Sequence, residues 1–320
     1  MRATAEARPN IALIKYWGKR DTDRNLPSTG SLSITLDALC TRMTVELDPE
    51  LAGDALTVNG KPSQNMLPRV SRCLDQVLGE HRVPASISSS SNFPIAAGLA
   101  SSASAFAALV VAADAAAGLQ HTTLELARTA GGASGSAARS LYGGFVELQT
   151  GVDEIKVKTI LAGAEWPLQV VVAINAESAK PISSGEAMTL SAQSSPFYAG
   201  WVEQQDADLD IARAAVLKHD FASLGAIAEH NCLKMHSVMW SSRPAIVYWN
   251  AATIASMETV RQLRAAGLPV FFTIDAGPQV KAVCTTDVVA EVQEALSATP
   301  GVIDTMCSSL GAGAAALDNP

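Results

Sequence analysis

From Phe93 to Ala113 the chain carries no charged residue, and that run limits the fold more than any other stretch. Its length would span a bilayer, but it opens on Pro94 and Gly98, is rich in Ala and Ser, and has no basic flank to anchor it. It reads as a helix buried inside a globular protein. The helix is fed by Asn92-Phe-Pro-Ile-Ala-Ala-Gly-Leu-Ala-Ser-Ser-Ala-Ser104, a turn of small and hydroxylated residues. Small side chains let another group approach the backbone, and a helix start offers unpaired N–H groups at the positive end of its dipole. Such a turn can seat a phosphate, although Gly and Ser at a helix start are equally ordinary capping chemistry.

A chain of 320 residues with 48% hydrophobic and 17% charged residues can bury two substantial cores. Its net charge of -8 argues against a nucleic-acid or anionic-membrane partner, so an anionic ligand has to be met by locally placed cations. Five scattered cysteines without a Cys-x-x-Cys pair disfavour both a disulfide framework and a zinc site. His230 and His236, six apart, do not stack on one helical face, so no protein-held metal is implied. Residues 1–10 lack the apolar core of a signal peptide, and a cytoplasmic protein with reduced thiols is expected.

After this irregular start, Ile11 to Ile14 is a strand-like run that stops at Lys15, Tyr16, Trp17 and Lys19. Two lysines and a tyrosine at a strand end are either surface residues or an anion site. The alternations of Leu32, Ile34 and Leu36 and of Met43, Val45 and Leu47 predict two half-buried strands, and Asn59-Gly60 predicts a hairpin turn. Leu67, Val70, Leu74, Val77 and Leu78 recur at helical spacing up to Gly79. A second Gly/Ser-rich element runs from Gly131 to Gly144 with Arg139 at its centre, a bidentate donor in a flexible backbone cradle if it is not simply exposed. Val170 to Ile174 reads as a buried strand, and residues 183–267 as mostly helical with a break at Pro244. Val270 to Asp275 is an apolar strand delivering a carboxylate into Ala276-Gly277-Pro278, with 279–284 as its hairpin partner. Asp275 could act there as a base or orienting group, or as an ordinary turn cap.

Four of these stretches resemble the diphosphomevalonate decarboxylase family of the GHMP kinase superfamily: Pro9 to Arg20, Asn92 to Ser102, Ser134-Gly-Ser-Ala-Ala-Arg-Ser140, and Phe272-Thr-Ile-Asp-Ala-Gly-Pro278. The resemblance implies an α+β fold with two-domain GHMP-kinase-like α/β architecture and the active site in the interdomain cleft. It places an N-terminal domain at 1–166, with the phosphate loop, and a C-terminal α/β domain at 167–320. The implied reaction is ATP-dependent decarboxylation of mevalonate 5-diphosphate to isopentenyl diphosphate, through phosphorylation of the tertiary hydroxyl. Nearby alternatives are decarboxylation of the 5-monophosphate and a 3-kinase that does not decarboxylate.

By the same resemblance Asn92, Pro94, Gly98, Ala100, Ser101 and Ser102 would hold ATP, with Mg2+ carried in by the nucleotide. Asp275 would orient or deprotonate the hydroxyl, Lys15 would tune that carboxylate, and Arg139 would hold the substrate carboxylate. Tyr16, Lys19 and Ser136 would meet the diphosphate, Ser134 would also contact the substrate, and Ser183 and Ser184 would reach it from the second domain. A homodimer is also implied, though no sequence feature shows it. The chain departs from the family pattern at Ala105, Ala138, Ala187 and Gln279, none of which removes a charged candidate.

Overall fold

The structure, a computed structural model, describes residues 1–93, 101–152, 154–177 and 181–317. Within the described residues the uncharged run lies in the helix Ser101–Ala117, which buries Phe106, Leu109 and Val110 along with six of its nine alanines. With almost no polar side chains to present to water, it packs against the strands Arg2–Ala7 and Thr41–Leu47 and the helices Leu67–Leu78 and Thr123–Ala133. Its C-terminal end meets Gly118 at φ 67°, a left-handed turn that glycine takes without strain. The turn residues Pro94, Gly98 and Ala100, expected to seat phosphate, lie outside the described residues.

That helix lies on a six-stranded sheet in the order Ala315–Leu317, Arg2–Ala7, Thr41–Leu47, Ala85–Ser91, Ala55–Val58, Lys61–Pro62. Asn59 and Gly60 both take positive φ, as a tight hairpin turn requires. Residues 1–10, expected to be irregular, contain a strand instead. Its inward positions are Ala3, Ala5 and Ala7, and alanine gives too little hydrophobic contrast for the alternation to register. The last described strand pairs with this first one, Thr4 opposite Leu317 and Glu6 opposite Ala315. The end of the expected C-terminal region 167–320 thus pairs with a strand of the N-terminal sheet.

A second sheet, in the order Ile155–Leu161, Phe145–Thr150, Ser31–Thr35, Asn10–Ile14, is covered on both faces. Val146, Leu148, Ile155 and Val157 join the core around the central helix, while Ile11, Leu13, Leu32, Ile34 and Phe145 pack on the third sheet. Ser31–Thr35, expected to be half-buried, is therefore buried at all five positions. Its polar face meets protein rather than water, and Thr35 Oγ1 donates to the Tyr142 carbonyl at 3.0 Å.

The third sheet runs Val270–Ile274, Val280–Thr285, Leu168–Ile174, Asp304–Ser309, all antiparallel. One face receives the second sheet. The other is covered by Met257 and Val260 of the helix Ala251–Ala265 and Val292 and Leu296 of Val289–Ser297. The helical region expected over 183–267 also supplies Ser184–Ser194, Tyr198–Leu217 and Phe221–Trp240. No helix among the described residues is long and apolar enough to cross a membrane.

Candidate active site

Strands of two different sheets end at one cleft of about 650 Å³. Asn10–Ile14 delivers Lys15 and Val270–Ile274 delivers Asp275, and the two side chains meet with Lys15 Nζ 2.7 Å from Asp275 Oδ1. Lys15 is 1% exposed, so it is not a surface lysine at a strand terminus. Its backbone leaves the sheet at this point, and buried helix side chains satisfy it instead. Asn231 Oδ1 accepts from Lys15 N at 2.8 Å, Gln205 Nε2 donates to Lys15 O at 2.7 Å, and Trp201 Nε1 donates to Trp17 O at 2.9 Å. Buried backbone groups need such partners, so Gln205, Asn231 and Trp201 fix where Lys15 stands.

Asp275 has a second cation that sequence reasoning missed. Lys281 Nζ lies 3.3 Å from Asp275 Oδ2, and its side chain is 1% exposed. Burial pushes the Asp275 carboxyl up, but the ammonium groups of Lys15 and then Lys281 outweigh it and hold the pKa at about 2. For Lys281 burial pushes the other way, lowering its affinity for the proton, and Asp275 partly restores it. The available signal was one lysine inside the apolar strand Val280–Thr285, where an unpaired charge would be costly.

Arg139, in the short helix Ala137–Ser140, is buried and makes no ion pair with a carboxylate among the described residues. Its Nε donates to Asn10 Oδ1 at 3.2 Å and Nη1 to Ser31 Oγ at 2.5 Å, while Asn10 Nδ2 reaches back to Ser136 O and Ser140 Oγ. Burial lowers its pKa to about 10, with Asp275 and Tyr16 opposing, so it remains a cation at neutral pH. The Gly/Ser-rich element around it is less open than expected: Gly131 and Gly132 are helical, within Thr123–Ala133.

Tyr16 turns into the same space with its hydroxyl buried and unpartnered among the described residues, and burial raises its pKa despite the Arg139 charge. Glycine at position 135 leaves room for the Tyr16 phenol, which a Cβ there would displace. Lys19 stands at the cleft edge with its pKa lowered by burial and by Arg69. Ser136 and Ser184 line the cleft as well. Ser183 does too, but it also caps the helix Ser184–Ser194, donating to Glu186 Oε2 at 2.6 Å and accepting from Glu186 N.

The opposite side of the cleft is made of hydroxyls and apolar groups. Ser101 and Ser102 open the central helix there, and Ser102 Oγ lies 3.2 Å from Ser134 Oγ. Met43, Leu56, Val58 and Val70 complete that wall, with Arg69 and Arg72 at hand. Hydroxyls and arginines beside an apolar wall suit a phosphorylated ligand with a flat base. Asn92 does not line the cleft. Its amide is engaged at both ends by the neighbouring turn, with Cys40 N donating to Oδ1 and Nδ2 donating to Ala38 O, both at 2.8 Å.

The structure thus brings together Lys15, Tyr16, Lys19, Ser101, Ser102, Ser134, Ser136, Arg139, Ser183, Ser184 and Asp275 around one space. Cations dominate it locally although the chain as a whole carries -8.

Two family models match the chain: a diphosphomevalonate decarboxylase-like N-terminal domain over residues 7–159 and a mevalonate 5-diphosphate decarboxylase C-terminal domain over 170–310. The diphosphomevalonate decarboxylase of Saccharomyces cerevisiae is 34% identical over 302 residues, covering 86% of this chain and 76% of its own. The phosphomevalonate decarboxylase of Haloferax volcanii is 32% identical, covering 93% and 92%. Among solved structures, MDDEF in complex with MVAPP, AMPPCP and magnesium superposes with a TM-score of 0.92 at 32% identity, covering 100% of this chain and 99% of that one.

Proposed function

The chain belongs to the diphosphomevalonate decarboxylase family, and from that premise we propose how its cleft divides the work of the reaction. The chain is an ATP-dependent decarboxylase that converts mevalonate 5-diphosphate to isopentenyl diphosphate, ADP, phosphate and carbon dioxide. The observation that carries the division of labour is Asp275 held against Lys15 at one strand end, with buried Arg139 close enough to feel its charge.

In this reading Asp275 accepts a hydrogen bond from the tertiary hydroxyl and aims its oxygen at the γ-phosphoryl group, while Lys15 offsets charge developing on the transferred group. The phosphorylated oxygen then leaves as phosphate with the electron pair of its C–O bond. Loss of carbon dioxide supplies the pair that forms the new double bond. Arg139 holds the substrate carboxylate until that step, its guanidinium fork being fixed by Asn10 and Ser31. Tyr16, Lys19, Ser134 and Ser136 receive the diphosphate, with Ser183 and Ser184 closing on the substrate. Ser101 and Ser102 receive ATP. Magnesium arriving with the nucleotide neutralises phosphate charge.

The paired assay that tests this follows ADP and carbon dioxide with mevalonate 5-diphosphate and with the 5-monophosphate. Equal amounts of both products, with the diphosphate strongly preferred, are expected. The Haloferax volcanii relative favours the monophosphate as a second reading, and preference for that substrate would establish it. ADP without carbon dioxide would indicate a kinase. The division at 166/167 belongs to the proposal too, supported by the gap between the two matched segments and amended by the returning strand Ala315–Leu317. A homodimer rests on family resemblance, and a cytoplasmic location on the scattered cysteines without a disulfide pattern.

A further inference from the structure

We propose that Lys281 is a positioning residue of this reaction: it anchors Asp275 through Oδ2 and so leaves Oδ1, with Lys15, as the edge that meets the substrate. The proposal rests on the decarboxylase reading and adds to it a residue that no part of that reading uses.

Lys281 sits in the strand Val280–Thr285 opposite Thr273 and Val172, on the face that carries Val283 into the core between the second and third sheets. A fully buried ammonium at such a position is expensive unless it is paired. Its carboxylate partner is Asp275 Oδ2, at 3.3 Å. Lys15 holds the other oxygen at 2.7 Å. A carboxylate gripped at both oxygens from two different elements has no freedom to rotate about its terminal torsion, a torsion that is otherwise soft.

The remaining groups around Asp275 do not duplicate this role. Arg139 acts on it only through space, since it is hydrogen-bonded to Asn10 and Ser31. From the helix Phe221–Trp240 come Cys232, whose thiol is engaged with the Ile274 backbone, and His236. His236 Nε2 accepts from Trp249 Nε1 at 3.2 Å, and burial together with Lys15 holds its pKa at about 3, so it is neutral. Lys281 is therefore the second cation that touches Asp275 among the described residues.

Lys281→Met keeps length and buries well, and Lys281→Gln keeps a polar end. In the ADP and carbon dioxide assay, kcat should fall about tenfold or more while both KM values stay within about threefold, because what is lost is alignment rather than binding. With 13C-labelled aspartate, the Asp275 carboxyl resonance, identified by its loss in Asp275→Asn, should stay at its ionised position to about pH 4 in the wild type and begin to titrate above that in Lys281→Met. A side chain with only a packing role would not move that resonance. Unchanged kcat or an unmoved resonance overturns the proposal. So does loss of folding in both variants, which would make Lys281 a residue of the fold. Failure of the wild type itself to release carbon dioxide would instead overturn the decarboxylase reading.

Discussion

At the strand-end side of the cleft, Lys15, Lys281 and Arg139 are buried and held by side chains from separate elements, whereas the serine side is lined by small hydroxyls and apolar residues. The first arrangement keeps charge in place before any ligand arrives. Burying those cations is tolerable only because Asp275, Asn10 and Ser31 are fixed to receive them. On the second the charge is exposed rather than buried: Arg69, at the surface, donates to the Ala133 carbonyl at 2.5 and 2.8 Å and covers the Phe106 ring at 4.6 Å. Pre-placed charge serves a step in which charge moves, and small donors serve a ligand that brings its own. Substitutions on the first side should therefore lower kcat, and those on the second should raise KM.

The strongest test of that contrast is Asp275→Asn, which leaves Lys15 and Lys281 facing a neutral amide. ADP formation should fall about a thousandfold, or about 4 kcal/mol, while ATP affinity measured by calorimetry changes little. Near-normal turnover would remove Asp275 from the chemistry. Arg139→Ala should cost about a hundredfold, near 3 kcal/mol, because Asn10 and Ser31 lose their partner along with the substrate carboxylate. A change below about tenfold in kcat/KM would reassign Arg139 to packing.

His236 sharpens the comparison through pH. Its pKa is depressed from 6.5 to about 3, by burial and then by Lys15, so the folded protein refuses a proton that the unfolded chain takes up. Stability is therefore intact above the unfolded value and is lost as pH falls from 6.5 towards 3, by about 2 kcal/mol between pH 7 and 5. Denaturant titrations at both pH values should show that loss in the wild type and less of it in His236→Gln; equal slopes would place the acid sensitivity elsewhere. The smallest effect is expected on the serine side. Ser102→Ala should raise the KM for ATP about fivefold, near 1 kcal/mol, at unchanged kcat. A large fall in kcat at saturating ATP would erase the distinction between the two sides.

Much of the charged side could be read in the sequence because strand ends announce themselves: an apolar run that stops at Lys15 or Asp275 has delivered those residues to an edge. Lys281 could not be read in the same way. It lies inside its strand, and what justifies its burial is Asp275, across a turn and just past the end of the neighbouring strand. Gln205 and Asn231 were hidden for a related reason: a polar residue on a helix face is ordinary until the backbone it satisfies, here that of Lys15 some 190 and 216 positions away, is known. The strand Arg2–Ala7 escaped because alanine marks an inward face so faintly.

The pairing of Thr4 with Leu317 has a consequence for how the protein comes into being. The edge of the first sheet beside Arg2–Ala7 waits for a strand synthesised more than 300 positions later, the most distant strand pairing among the described residues. At the usual pace of synthesis that edge stays open on the ribosome for tens of seconds, with its amide row available to any passing strand.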